Sequence, residues 1–78
     1  MDRRLIAYAA LLYEEVVRSP AGMHFFTLRE HLHLAKARGL LRAEEAEKVK
    51  RLVEEMLTRT YSGDAYAFAK EVAEELGL

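Results

Sequence analysis

Cysteine is absent from this 78-residue chain, and disulfide staples, zinc–thiolate sites and a cysteine nucleophile are absent with it. Asparagine, glutamine and tryptophan are missing as well. Loss of amides and thiols beside abundant Glu and Arg is the composition of heat-adapted proteins, and equally of chains encoded by GC-rich genomes. A single proline and four glycines leave little to interrupt helices. Neither sign of charge dominates: 12 basic against 13 acidic side chains give a net charge of -1. That removes the basic balance of a protein that binds nucleic acid over its whole surface, while leaving room for a local patch.

Long hydrophobic runs are also lacking. Arg3 and Arg4 ahead of the apolar stretch Leu5 to Tyr13 copy the opening of a secretory leader. Glu14 and Glu15 follow directly, however, with no small-residue cleavage site beyond them, and the stretch is too short to span a bilayer. A soluble cytoplasmic protein without membrane association is expected.

What is present is one domain, 51% apolar and 32% charged, which excludes a disordered or collagen-like chain. A domain of this size hides only about 60% of the surface of its unfolded chain. Such domains need a staple, very regular helix packing, or a second copy of themselves. Without cysteine, and with three histidines as the strongest metal ligands, regular packing and self-association remain.

Apolar spacing predicts four helices. The first runs from about residue 2 to 18, with Asp2 as its cap and Ser19-Pro20 as its stop. Its apolar residues cover roughly 200° of arc, about twice what a surface helix needs, so it is either central in its own chain or shared with a partner. The second has two start signals, Ser19-Pro20 and the capping box Thr27-Leu28-Arg29-Glu30. Phe25, Leu28, Leu32 and Ala35 keep a 3-4-3 spacing that favours a continuous helix from Pro20, ended by Gly39 with Leu40 as the accompanying apolar contact. The third runs from 43 to about 60, with Ala46, Val49, Leu52, Val53, Met56 and Leu57 in a narrow stripe. Acid-before-base pairs Glu44–Lys48, Glu47–Arg51 and Glu55–Arg59 lie on its outer face. After the turn Tyr61-Ser62-Gly63-Asp64, the fourth covers 65–76. The expected class is all-α, a compact bundle joined by short turns.

Chemistry-bearing patterns are sparse. His31 and His33 diverge by about 160° on a helix, and Glu30 to His33, the one E-x-x-H spacing, falls away from the apolar stripe, so no metal site is expected. Neighbouring glutamates, such as Glu14-Glu15 and Glu74-Glu75, diverge on helices and read as solvated faces. Ser19 and Ser62 are turn residues, and no glycine-rich phosphate loop exists. Neither enzymatic activity nor a cofactor is expected.

Two binding readings remain. The helix pair around Gly39 superficially matches a helix-turn-helix, with the small Ala35 four residues before the glycine. Its second helix begins with Glu44, Glu45 and Glu47, the wrong sign for phosphates, and Glu45 stands where an apolar residue should lock the pair. A nucleic-acid contact would instead use Arg29, His33 and Lys36, spaced i, i+4, i+7, with Arg38 and Arg42; the ordinary alternative is a solvated face paired with neighbouring glutamates. The favoured reading is protein–protein association, as a homodimer or an accessory subunit. Leu11 and Leu34 are stranded among polar residues, Phe25-Phe26 are adjacent aromatics, and Ile6, Tyr13 and Val17 form the second apolar face of the first helix.

Overall fold

The helix-forming composition gives four α-helices and no strand in the computed structural model, which describes residues 1–78. They are α1 (Arg3–Val16), α2 (His24–Ala37), α3 (Ala43–Leu57) and α4 (Ala65–Leu76). The expected all-α bundle is thus observed. Short acidic side chains open α1 and α4: the Asp2 carboxylate accepts the Arg4 amide at 2.8 Å and Asp64 accepts the Tyr66 amide at 2.9 Å.

The expected continuous helix from Pro20 is not formed. The Ser19 hydroxyl donates to the Val16 carbonyl at 2.5 Å, and the Met23 amide reaches the Pro20 carbonyl at 3.0 Å. The turn so closed needs Gly22 at φ +86°, a left-handed conformation that a helix cannot continue through. Helix resumes at His24, before the Thr27 box can act as a start, and the Thr27 amide already bonds Met23 at 2.8 Å within the first turn. At the other end, Leu40 donates to Ala35 at 2.9 Å and Gly39 to Lys36 at 3.1 Å, a Schellman pair with Gly39 at φ +73°. Leu40, expected to supply the apolar contact beyond this cap, is exposed, and the next residue, Leu41, is the buried one. α3 stops at Leu57, short of residue 60, because the Thr58 hydroxyl takes the Glu55 carbonyl at 2.8 Å.

α1 packs against α2, α3 and α4, as does α3 against the other three, while α2 and α4 do not touch. The broad apolar arc of α1 is therefore absorbed within the chain, and no partner is needed to cover it. Twenty buried residues form one continuous apolar core, with Leu28, Leu52, Met56 and Val49 fully enclosed. Total accessible surface is 4971 Å². The mass scaling for a folded monomer of this size gives about 4,900 Å². Packing is thus ordinary in extent, and what distinguishes the surface is where the residual apolar and basic groups lie.

Candidate functional site

The seven buried residues of α1 occupy one side of the helix, and Arg4, Leu11 and Glu15 occupy the other, with Arg18 in the turn that follows. Leu11 stands in the middle of that outer face with 72% of its surface exposed. Beside it lies an open depression of about 320 Å³ between α1 and α2, lined by Tyr8, Leu11, Leu12, Glu15 and His31. Leu34, half-exposed, follows His31 by one turn on the same flank of α2. His31 Nδ1 lies 2.9 Å from the Thr27 carbonyl, which can only accept, so Nδ1 carries the proton and fixes the ring. Charges of both signs rim this face: Arg18 pairs with Glu15 at 3.4 Å, and Arg4 pairs with Glu45 across to α3.

The residues expected to form one interface divide into three groups. Ile6 and Tyr13 are core residues, only 6% and 5% exposed, which removes them from any docking surface. A helical wheel gives the width of an apolar arc but not the number of neighbours that cover it, and α1 has three. Tyr13 meets Tyr61 and Phe68 edge-on, with centroids 5.3 Å and 5.7 Å away. Burial, with Tyr61 adding to it, pushes the Tyr13 hydroxyl above its ordinary pKa. Leu11 and Leu34 lie on the α1/α2 face just described. Val17, Phe25 and Phe26 lie elsewhere, around the α1–α2 turn and the start of α2, with Met23 exposed among them.

A second surface forms between α2 and α3. Arg29, His33 and Lys36 of the basic stripe line a depression of about 210 Å³ with Leu32 and, from α3, Ala46, Glu47 and Lys50. Arg38 and Arg42, expected to extend the stripe, lie outside this lining: Arg38 ends α2 and Arg42 precedes α3. Lys50 was not singled out in the sequence, although it follows Ala46 by one turn at the edge of the α3 stripe. The stripe forms no ion pair with neighbouring glutamates, since the ion pairs of the protein are Arg4–Glu45, Arg18–Glu15, Arg59–Glu55 and Arg59–Glu75.

Glu45, which argues against a helix-turn-helix lock, has a structural task. Its carboxylate accepts the Arg42 amide at 2.9 Å and pairs with Arg4, and those two contacts, the backbone bond foremost, hold it below the ordinary glutamate range. Arg59 is held above its usual range by Glu75 on α4, with Glu55 adding to it. Glu55–Arg59 is also the one of the three expected surface pairs of α3 that forms, at 3.4 Å. No helix is long and apolar enough to cross a membrane. No protein-family model, curated protein or solved structure matches the chain, so its function is read from its own surfaces.

Proposed function

We propose that this chain is a non-catalytic cytoplasmic module that associates with a second copy of itself through the outer face of α1. The observation that carries this reading is Leu11, a large apolar side chain left exposed at the centre of a helix whose other side is wholly buried. Tyr8 and Leu34 extend the apolar surface, and the rim of mixed charge suits self-pairing. With a two-fold axis crossing α1 between Tyr8 and Leu11, antiparallel helices set Tyr8 against Leu11 of the partner subunit, and Arg4 against Glu15 of the partner subunit. Both pairs occur twice, as an isologous contact requires. Arg4 spends part of its five-donor guanidinium on Glu45, and the Arg18–Glu15 pair is long at 3.4 Å, so each retains capacity for the partner.

Magnitudes set the strength. Burying two Leu11 side chains contributes about 3–6 kcal/mol. Association costs about 4–15 kcal/mol in lost freedom, so Tyr8, Leu34 and the charge pairs must supply the rest. The contact is small, so the dimer is expected to be concentration-dependent rather than permanent. The direct test is isotope-filtered NMR on a mixture of labelled and unlabelled chains. Intermolecular contacts between the Tyr8 ring and the Leu11 methyls are expected. Their absence in a sample that is dimeric would place the interface on another face, and transfer of the contact to a different protein would make the chain an accessory subunit.

A further inference from the structure

The basic groove between α2 and α3 is a separate surface from the Leu11 face, lying on the opposite flank of α2. Arg29, Lys36 and Lys50 are three permanent cations beside one carboxylate, Glu47, in a chain whose net charge is -1. None of the three has a carboxylate within ion-pair distance, and Glu54, one turn beyond Lys50, does not pair with Arg29. Unpaired like charges drawn together on a near-neutral protein create a local positive potential that attracts an anion. At the helical rise the row from Arg29 to Lys36 is about 10 Å long, so it suits several consecutive anionic groups better than one.

Aromatic rings continue the same stripe. Phe25 precedes Arg29 by one turn and Phe26 precedes His33 by two, and the rings are 48% and 49% exposed. Exposed phenylalanine faces at the end of a cationic groove are the combination by which single strands are held: phosphates on the cations and bases stacked on the rings. α3 is packed against all three other helices and its first turn carries Glu44 and Glu45, the wrong sign for a helix that reads duplex DNA.

We propose that the α2/α3 groove binds a short single-stranded nucleic acid, with phosphates on Arg29, His33, Lys36 and Lys50 and bases stacked on Phe25 and Phe26. Recognition through phosphates and stacking is sequence-tolerant, because every base carries phosphate and offers a π-face. The site uses none of the residues of the Leu11 face, so either surface can fail without the other.

Fluorescence anisotropy with labelled oligo-dT and oligo-U of about 12 nucleotides tests it. About three phosphate contacts predict roughly 20-fold weaker binding at about 200 mM salt than at about 50 mM. The double variant Lys36→Ala/Lys50→Ala weakens binding and flattens that salt dependence. Phe25→Ala and Phe26→Ala weaken binding while leaving the salt dependence unchanged, and circular dichroism confirms that each variant remains folded. Leu11→Glu leaves strand binding unaltered. Absence of binding to either strand at the lower salt overturns the proposal, as does binding that survives loss of both lysines. Equal affinity for inorganic polyphosphate, with no effect of the phenylalanine variants, overturns the assignment to nucleic acid.

Discussion

Arg4 on α1 reaches across to Glu45 in the first turn of α3, and this ion pair ties the two helices that each contact every other helix. Glu45 uses its second oxygen to accept the Arg42 amide at 2.9 Å, so one carboxylate caps α3 and anchors α1 at once.

The lowered pKa of Glu45 gives a pH dependence with a definite sign. Folding lowers its pKa, so the ionised carboxylate adds stability that is fully present above an ordinary glutamate value of about 4.3 and is lost as pH falls through the lower folded value. Thermal melts of the wild type and Glu45→Gln should therefore differ most at neutral pH and converge under acid conditions. Glutamine keeps an oxygen for the Arg42 amide, so Glu45→Ala should be the less stable of the two variants at every pH. Equal melting temperatures for all three proteins at pH 7 would show that the contact adds nothing.

Gly39 holds φ +73° at the Schellman turn, and a Cβ built there meets nothing within 4 Å. The cost of Gly39→Ala is thus conformational and not steric. It should destabilise by about 1–2 kcal/mol in urea titration, with Gly39→Asn milder because asparagine tolerates the left-handed region. A neutral alanine variant would mean that the turn relaxes without its cap.

Core and outer face should respond very unequally to the same truncation. Leu52 is fully buried, and Leu52→Ala should cost about 2–5 kcal/mol, a large part of the roughly 4–12 kcal/mol available to a domain of this length. Leu11→Ala, measured on dilute monomer, should shift stability by less than about 0.5 kcal/mol. A large loss at Leu11 under those conditions would assign it to the fold and not to a partner.

The elements whose signals are local were legible in the sequence. The stripe Ala46, Val49, Leu52, Val53 and Met56 is buried, with Leu57 at its end only partly so, Asp64 caps α4, and Gly39 ends α2. Competing local signals were harder to rank. The Thr27 box is intact in sequence, yet the Gly22 turn lets helix begin at His24, four residues before the Leu28 start that the box would give, and the box has no free terminus to cap. The surfaces depended on tertiary placement. Ile6 and Tyr13 look available on an isolated α1 and are covered once three helices surround it. Lys50 joins the basic stripe only because α3 lies alongside α2, a relationship that spacing within one helix does not contain.

Leu11 is the centre of the proposed self-association face, and sedimentation velocity across a series from about 1 μM to several hundred μM tests this role directly. Wild-type chain should shift from monomer toward dimer mass with concentration, while Leu11→Glu, equally helical by circular dichroism, should stay monomeric throughout. A wild-type chain that remains monomeric at several hundred μM, or a Leu11→Glu variant that dimerises as readily, would contradict it.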